Sequence, residues 1–562
     1  MNFILAEFKQ SKSLKWIVLI AILAFVPTIG LVHLFDWDEI NFAESAREMM
    51  VTSDYFRVRV NYAPFWEKPP LFFWLQSGSM HLFGINEFAS RFPNAVAGII
   101  SILVLYFIGK KERNERFATI WSLLYLCALL PQVYFRSGII DPIFNLFIFL
   151  STYYLFKALT DDQLKLKRSF WAGLFCGLAV LTKGPVGFLL VFLTFVVFIL
   201  VKRFKVLPQF KQILVFAITV FGVSFLWFGV EVIQNGPWFI VEFINYQIEL
   251  FTQGVAGHEQ PFYYHFVVVF FGTFPLSILA LPSLIQRKRE DMLEQWWTIL
   301  FWVVLILFSI TTTKIVHYSS MTYLPLSFLA AISIEKLDWS EVKGWLKGLY
   351  WFLGGLVTIA FIGVPLFAIF KDHFLHLFND PFAVAGFSND AVSWSGLEFS
   401  VALFFILAVG GLIYFWKKDL LVKGLFVKAI FVSLALNIAM ILVVPKIETY
   451  SQGPMIDFFK SHQGEEIYIS QIGFKSYAQY FYFNQPEHPN AHTKITNEKF
   501  DGEQVPYAEL ETAVKLFLLY EPLDYDAYFV TKIQHTELDE IPDIQQIGQK
   551  GGYKFYFRPK AL

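Results

Sequence analysis

Long runs of apolar residues alternate with short charged clusters along most of the chain. Many of the runs approach the roughly 20 residues that a helix needs to cross a bilayer. The pattern therefore predicts about thirteen membrane-spanning helices. The runs cover residues 14–35, 88–109, 117–134, 138–157, 169–182, 184–201, 212–233, 263–285, 296–313, 315–334, 346–370, 397–416 and 424–444. We expect the first run to stay as an anchor, because it is too long for the apolar part of a cleavable signal peptide.

The hydrophobic pattern changes after Pro445 from long runs to short ones. Short strand-like runs lie at 467–470, 516–520, 528–530 and 553–557, with helical patterns at 453–461 and 508–515 between them. About 115 residues of this kind suffice for a small domain. The chain is therefore predicted to have two domains, a membrane domain at 1–445 and a soluble α/β domain at 446–562.

Composition supports a membrane protein and excludes some functions. Of the 562 residues, 56% are hydrophobic and 16% are charged, whereas soluble proteins carry about 25% charged residues. The net charge of −1 gives no field that would attract nucleic acid. Cys127 and Cys176 both fall in apolar runs, which favours small buried side chains over a disulfide or a metal site.

Basic residues predict the orientation of the chain. If the N-terminus is cytoplasmic, alternating crossings bring every basic cluster to the cytoplasmic side, as the positive-inside rule requires. The clusters lie at 110–116, 165–168, 202–211, 287–289, 336–347 and 417–428. The segments 36–87, 235–262 and 371–396, and everything after Pro445, are then extracytoplasmic.

The first outer loop carries the most concentrated polar chemistry. Asp36-x-x-Glu39 has the form of a helix capping box, which would place Asp38 in the first turn, where the helix dipole favours a carboxylate. Further on, Glu67-Lys68 precedes two prolines that fix a rigid turn. The simplest interpretation is that these acids only begin a surface helix. The position beside the membrane and the later Glu-Lys-Pro-Pro turn favour a reaction site.

Other polar residues lie at predicted outer ends of membrane helices. Taken one at a time, each is more often a snorkelling cation or an interfacial aromatic residue. Together they place carboxylates, cations and a histidine on one side of the membrane, where charge is costly and usually functional. These sets are Arg136 to Pro142 with Asp141, Lys183-Gly184-Pro185, Gly257 to Tyr264 with His258, and Lys314 to Tyr318 with His317.

These motifs, in this order, resemble one known family. The motifs are Asp38-Glu39 with Phe42 to Met49, Glu67 to Leu75, Ile140-Asp141-Pro142, Leu181 to Pro185, His258-x-x-Pro261-Phe262-Tyr263-Tyr264 and Lys314-x-x-His317-Tyr318. The chain resembles the lipid-linked-sugar glycosyltransferases of the GT-C class. Within the class it is most similar to the branch that contains the aminoarabinose transferase of lipid A and the protein O-mannosyltransferases. The resemblance implies a mainly α, polytopic membrane fold with a small extracytoplasmic α/β domain at the C-terminus.

The resemblance also implies roles for the motif residues. Asp38, with Glu39 beside it, is expected to be the catalytic carboxylate that takes the acceptor proton. Lys68 is the first candidate to stabilise the leaving lipid phosphate, and Lys183 or Lys314 is the second. The remaining predicted substrate contacts come from Glu67, Asp141, His258, His317 and Tyr318.

Two features of the predicted site concern a metal and the sugar. Glu67 and His258 match positions that can hold a divalent metal in the aminoarabinose branch, but two ligands are too few for a closed site. We therefore expect no required cofactor, with a divalent metal as an option. Aminoarabinose transferases carry Asp-Glu-x-Arg, and here Asn41 replaces the arginine. Asp141 is thus expected to lose its ion pair, which argues against naming aminoarabinose as the sugar. Neither the donor sugar nor the acceptor is predicted, because the shape of the cavity among the helices determines both.

The predicted enzyme is a monomer in a bacterial plasma membrane, with its active site outside the cytoplasm. Its partners are a polyprenyl-phosphate-linked sugar and a lipid or glycan acceptor, and it binds no nucleic acid. One alternative within the enzyme class is a protein O-mannosyltransferase-like activity. An alternative from another class is a transporter or flippase of lipid-linked glycans. A transporter would place its charges near the bilayer midplane and in paired repeats, and neither feature appears in the sequence.

Overall fold

Helices make up most of the first 450 residues. The structure is a computed structural model that describes residues 7–252, 259–286, 289–335, 337–389, 392–500 and 507–561. Its helices up to Ile310 are α1 Lys12–Phe25, α2 Asp38–Thr52, α3 Leu71–Phe83, α4 Glu87–Glu112, α5 Glu115–Leu126, α6 Leu129–Tyr134, α7 Asp141–Thr160, α8 Lys165–Lys183, α9 Val186–Val201, α10 Phe210–Asn235, α11 Trp238–Thr252, α12 Tyr264–Gly272, α13 Leu276–Leu279, α14 Leu281–Ile285 and α15 Met292–Ile310.

The second part of the chain continues the helical bundle and then turns into a mixed domain. A 3-10 helix at Val316–Thr322 leads into α16. The later helices are α16 Tyr323–Glu335, α17 Gly344–Ile369, α18 Pro381–Phe387, α19 Ser400–Trp416, α20 Leu421–Leu442, α21 Val444–Tyr450, α22 Gly453–Ser461, α23 Ala478–Tyr482, α24 Ala491–Lys499 and α25 Tyr507–Tyr520. The strands are β1 Arg59–Val60, β2 Ala63–Pro64, β3 Tyr468–Ile472, β4 Ala527–Lys532, β5 Gln545–Lys550 and β6 Tyr553–Arg558.

Each predicted apolar run coincides with one or more of these helices, and the mainly α class is confirmed. Seven spans in the described residues are long and apolar enough to cross a membrane: Glu87–Glu112, Asp141–Thr160, Phe210–Asn235, Met292–Ile310, Gly344–Ile369, Leu397–Trp416 and Leu421–Tyr450. Other runs form shorter or broken helices. The run 263–285, for example, is divided into α12, α13 and α14 around Pro275. The count of thirteen crossings therefore stays a prediction.

The turn between α8 and α9 has a clear local cause. Gly184 ends α8 with a φ of +85°, a conformation that side chains with a Cβ rarely adopt. Pro185 follows, and it cannot continue the hydrogen-bonding ladder of α8. The chain therefore reverses here, and Lys183 becomes the last residue of α8.

The C-terminal sheet confirms the predicted small α/β domain. Its four strands lie in the order β3-β4-β6-β5, with β3 parallel to β4 and the other two pairs antiparallel. A crossover that contains α23, α24 and α25 joins β3 to β4, because parallel strands need a long connection. The boundary itself, placed by the sequence after residue 445, stays a prediction.

The sheet packs on both of its faces. Successive residues of a strand point to opposite faces, and in β4 Phe529 belongs to the domain's own core while Val530 belongs to the core of the helical bundle. Phe458 of α22 stacks on Phe555 of β6, with ring centroids 4.4 Å apart. One face of the sheet is therefore continuous with the bundle, close to the start of α2.

Candidate active site

The acidic residues at the start of α2 do not form the predicted capping box. The side chain of Asp36 makes no capping bond to α2, and its Oδ1 accepts a hydrogen bond from the backbone N–H of Tyr477 in the C-terminal domain, at 3.2 Å. The backbone N–H of Asp36 donates to Oε1 of Gln452, at 3.4 Å. The helix begins at Asp38 with no side-chain cap. The prediction of a capping box is therefore wrong, and Asp36 instead joins the two domains.

Glu39 lies in a buried ion pair and not in the open part of the site. Arg91 Nε and Nη2 donate to its two oxygens at 3.1 and 2.8 Å. Glu39 also accepts hydrogen bonds from the backbone N–H groups of Phe35, at 2.8 Å, and of Gly138. Its side chain is only 3% exposed. A carboxylate with four donors has no position left for a substrate proton, so the predicted catalytic role of Glu39 is corrected to a positioning role.

The carboxylates of Asp38 and Asp141 both lie near the imidazole ring of His317. His317 Nε2 lies 3.5 Å from Oδ2 of Asp38 and 3.6 Å from Oδ2 of Asp141. Lys183 Nζ lies 2.7 Å from Oδ1 of Asp141. The exposed fraction separates the two acids, since the Asp38 side chain is 42% exposed and that of Asp141 is 5% exposed. Only Asp38 is open to an incoming group.

Glu67 and Lys68 lie beside this cluster. Lys68 Nζ is 3.8 Å from Oε2 of Glu67, and its side chain is largely buried. Burial lowers the pKa of Lys68, and the carboxylates of Glu67 and Asp38 oppose that shift. An ammonium group whose hydration has been removed interacts strongly with an anion. Lys68 thus has the environment that a contact to phosphate requires.

Tyr246 of α11 is part of the same arrangement, and sequence reasoning did not identify it. Its hydroxyl donates a hydrogen bond to Oε2 of Glu67, at 3.0 Å. The ammonium of Lys68 lies 5.3 Å from the centre of the Tyr246 ring, within the range of a cation–π contact. Trp238, on the same helix, packs edge-on against Trp66. Helix α11 therefore covers the turn that carries Glu67 and Lys68.

Comparisons with known proteins agree on one class. A family profile described as dolichyl-phosphate-mannose-protein mannosyltransferase matches residues 67–227. An undecaprenyl phosphate-alpha-4-amino-4-deoxy-L-arabinose arabinosyl transferase of Aeromonas salmonicida is 26% identical over 383 residues, which is 64% of this chain and 69% of the relative. The transferase of the same name from Serratia proteamaculans is 29% identical over 343 residues, 58% of this chain and 60% of the relative.

The fold comparison covers almost the whole chain. The crystal structure of ArnT from Cupriavidus metallidurans bound to undecaprenyl phosphate matches with a TM-score of 0.76. The match covers 96% of this chain and 97% of that protein, at 18% identity. In sequence and in fold the chain is similar to these lipid-linked-sugar glycosyltransferases. The resemblance stated from the motifs is thereby confirmed.

The ion pair of Asp141 corrects an expectation from the sequence. The replacement of the family arginine by Asn41 led to the expectation that Asp141 has no ionic partner. The structure gives it Lys183, which lies at the end of a different helix. The Lys183 ammonium also lies 4.8 Å from the centre of the Tyr318 ring. Lys183 therefore connects Asp141 and Tyr318, two residues that the motifs had singled out separately.

Lys314, a predicted substrate contact, stands apart from the cluster. Lys314 is buried, and its ammonium donates to the backbone carbonyl of Thr311, so no described contact joins it to Asp38. His258 lies outside the described residues. Among the residues that the structure describes, no group of three or more His, Cys, Asp and Glu side chains is arranged for a metal. The optional metal at Glu67 and His258 stays a prediction.

Arg91 is the second residue that the motifs missed. It lies near the start of α4, in the predicted run 88–109, and its side chain is fully buried. A single arginine inside an apolar run is costly in a membrane and is therefore a signal in its own right. The sequence carried that signal, but nothing in it indicates that Glu39, 52 residues away, is the partner.

Proposed function

We propose that this GT-C glycosyltransferase moves a sugar from a polyprenyl-phosphate donor to an acceptor at the outer face of a bacterial inner membrane, with inversion at the anomeric carbon. The relatives named above are described as using undecaprenyl phosphate, and the family profile as using dolichyl phosphate. A lipid-linked donor suits a site at the ends of membrane helices. The arrangement of basic clusters supports a cytoplasmic N-terminus and an active site on the opposite side.

One observation carries the proposal most directly. Asp38 is an accessible carboxylate that touches a histidine, and the histidine bridges to a buried carboxylate held by a lysine. We assign to Asp38 the removal of the acceptor proton. His317 and Asp141 hold Asp38 in place, since each is nearly buried and has a defined partner. Inversion follows if the acceptor oxygen attacks the anomeric carbon from the side opposite the lipid phosphate, so that the new C–O bond forms as the C–O bond to the phosphate breaks.

The departing lipid phosphate needs positive charge near it. Lys68 is assigned this role first, because its only ion pair in the described residues is the long one to Glu67, at 3.8 Å. Lys183 is closer to Asp141, at 2.7 Å, and is assigned mainly to orienting that carboxylate. Preorganised charges of this kind stabilise a developing anion without further rearrangement.

The acceptor is proposed to be a lipid A-like glycolipid, as the resemblance of the motifs to the aminoarabinose transferase of lipid A implies. The protein O-mannosyltransferase-like alternative is supported by the family profile over 67–227. The two differ in the acceptor and share the donor chemistry. The enzyme is proposed to act as a monomer without a required cofactor.

The test of the reaction uses Asp38→Asn in purified, folded protein. Transfer from an undecaprenyl-phosphate-linked sugar should fall by about 100-fold or more, as expected for loss of a general base. Asp38→Glu is the matched control that keeps the charge. An Asp38→Asn variant that transfers sugar at the wild-type rate would refute the assignment. Loss of lipid translocation in vesicles without loss of transfer would support the flippase alternative.

A deletion strain identifies the acceptor. Mass spectrometry of its envelope glycolipids and glycoproteins should reveal one species that lacks a single sugar. A glycolipid lacking the sugar supports the proposal, and a glycoprotein lacking it supports the O-mannosyltransferase-like alternative.

A further inference from the structure

The loop between α1 and α2 is hydrogen-bonded to side chains of the C-terminal domain. Leu34 is fully buried. Its backbone N–H donates to the hydroxyl of Tyr482, at 2.6 Å, and its carbonyl accepts from Nε2 of Gln452, at 2.8 Å. Gln452 Oε1 also accepts from the backbone N–H of Asp36, at 3.4 Å. One carboxamide thus bridges two peptide groups of the loop, as the backbone of a neighbouring β-strand would.

The residue before Leu34 is held from two directions. His33 Nδ1 lies 2.6 Å from Oε1 of Glu448, and the His33 ring packs edge-on against the ring of Tyr482, with centroids 5.1 Å apart. From the helical bundle, Arg91 Nη2 donates to the backbone carbonyl of His33, at 2.8 Å. The loop therefore lies between the bundle and the C-terminal domain, and both of them fix its backbone.

The C-terminal domain also contacts the second half of α2. Arg47 Nη2 donates to the backbone carbonyl of Gln485, at 3.0 Å, while Nε and Nη2 of Arg47 donate to Glu44, each at 2.7 Å. The Tyr62 hydroxyl donates to the same Gln485 carbonyl, at 2.9 Å. The helix that begins with Asp38 is therefore held by the C-terminal domain both before its start and in its second half.

The carboxylate of Asp38 depends on this support. Asp38 is the first residue of α2, the start of the helix has no side-chain cap, and the Asp38 side chain is 42% exposed. Its distance of 3.5 Å to His317 is longer than that of a charge-assisted hydrogen bond. The position of the carboxylate thus follows the backbone that precedes it. A shift of about 1 Å at a reacting group can cost about 100-fold in rate.

We infer that the C-terminal domain is a positioning part of the active site, in which Gln452 and Tyr482 hold Asp38 against His317 through the backbone of residues 34–36. This inference rests on the proposed function and gives a role in it to a domain that the mechanism above does not use. Both side chains act on the backbone before Asp38, whereas Lys68 and Lys183 lie in the helical part of the chain. Loss of the contacts should therefore lower turnover and spare donor binding.

The test uses the full-length variant Gln452→Leu/Tyr482→Phe, which removes the three hydrogen bonds to the loop with little change in side-chain volume. Transfer is measured per undecaprenyl-phosphate-binding site, so that a partly unfolded sample does not lower the value. We expect kcat to fall by about 10- to 100-fold. The Kd for undecaprenyl phosphate should stay within about twofold of the wild type, because the buried cations are intact. A wild-type kcat per binding site would overturn the inference.

A matched control lies in the same domain. The hydroxyls of Tyr468 and Tyr556 donate to Asp524 and Asp539, at 2.8 and 2.6 Å. Tyr468→Phe/Tyr556→Phe therefore removes two hydroxyl hydrogen bonds from the domain and none from the loop. Its kcat per binding site should equal that of the wild type, even if its unfolding temperature is lower. A control that loses as much turnover as the loop variant would also overturn the inference, because a general loss of domain stability would then explain the effect.

Hydrogen exchange separates this inference from the proposed function. Amides in the peptide 33–38 should exchange about tenfold faster in Gln452→Leu/Tyr482→Phe than in the wild type, and no faster in the control. If the double variant does not fold, Tyr482→Phe alone should raise exchange and lower kcat by about threefold, as the loss of one hydrogen bond predicts. Unchanged exchange would overturn the inference whether or not the protein transfers sugar. Faster exchange in the variant, combined with an inactive wild type, would count against the proposed function alone.

Discussion

Lys183 Nζ lies 2.7 Å from Oδ1 of Asp141, and the pair joins the last residue of α8 to the first residue of α7. The two helices run antiparallel, so both residues lie at the same end of the bundle. A carboxylate at a helix N-terminus and a cation at a C-terminus are each stabilised by the helix dipoles. Lys183 therefore gives Asp141 the ionic partner that the presence of Asn41 had led us to expect it to lack.

Removal of Lys183 should show how much this ion pair contributes to stability and activity. Lys183→Met leaves Asp141 buried without a cation, and breaking such a pair costs about 3–5 kcal/mol. We expect a lower thermal unfolding temperature in detergent and a severe loss of transfer. The double variant Lys183→Met/Asp141→Asn should recover much of the stability but not the activity. A single variant as stable as the wild type would contradict the pairing.

Arg91 should be irreplaceable even by lysine. Its guanidinium makes five hydrogen bonds, two to Glu39 and three to the backbone carbonyls of Ile29, Val32 and His33. A lysine ammonium has only three donors and no planar fork. Arg91→Lys should therefore lower the free energy of unfolding by about 2 kcal/mol or more. It should also lower kcat, because Arg91 holds Glu39 and Asp38 is the residue next to Glu39.

The control for Arg91 is an arginine in a more exposed pair. Arg168 contacts Asp161 at 2.6 Å, and the Asp161 side chain is 34% exposed. Arg168→Lys should cost less than about 1 kcal/mol, as exposed pairs do. Equal decreases in unfolding temperature for Arg91→Lys and Arg168→Lys would show that the buried network of Arg91 contributes no more to stability than the more exposed pair of Arg168.

The burial of Asp36 should make stability depend on pH. Burial raises the pKa of Asp36 to about 6, from 3.8. The folded protein thus holds a proton that the unfolded chain has released, so stability falls as pH rises from about 4 to about 6. The loss is on the order of 3 kcal/mol. Asp36→Asn keeps the acceptor for the Tyr477 N–H and should abolish this fall.

Denaturant unfolding at several pH values checks this prediction. Asp457→Asn serves as the control, because Asp457 forms an exposed ion pair with Lys550. We expect Asp36→Asn to be more stable than the wild type at pH 7 and equal to it near pH 3. Parallel pH curves for Asp36→Asn and the wild type would rule out Asp36 as the titrating group.

Lys68 should determine how well the enzyme binds the lipid-linked sugar donor and how fast it transfers the sugar. Lys68→Ala should raise the donor KM and lower kcat by about 100-fold, as for the loss of one charged contact in a dry site, and it should leave the acceptor KM nearly unchanged. Burial lowers the pKa of Lys68. The wild type should therefore begin to lose activity at a lower alkaline pH than it would if Lys68 had the pKa of a solvent-exposed lysine. Lys68→Arg should move that loss to higher pH.

Steady-state kinetics with donor and acceptor varied separately distinguish these effects. The matched variant is Tyr246→Phe, which removes the hydroxyl that donates to Glu67 but keeps the ring beside Lys68. It should have a smaller effect than Lys68→Ala. An Ala variant with unchanged donor KM and kcat would exclude Lys68 from the phosphate site.

Much of the architecture could be predicted from local patterns. Apolar runs of membrane length predicted the helices, because each depends on residues close together in the chain. Three of the four short runs after Pro445 predicted strands of the sheet, but the run 516–520 lies in α25 and β5 was not predicted. The motifs also selected Asp38, Glu67, Lys68 and Asp141. The breaks at Gly184 and Pro185 were visible as well, since backbone restrictions are properties of single residues.

The pairing of these residues was decided by the tertiary structure alone. Glu39 and Arg91 are 52 residues apart, Asp141 and Lys183 are 42 apart, and Asp36 and Tyr477 are 441 apart. The sequence placed Glu39 beside Asp38 as a second catalytic acid, but helix packing buries one carboxylate and leaves the other open. Which acid reaches solvent depends on the surfaces that meet around it, and a one-dimensional pattern contains no such surfaces.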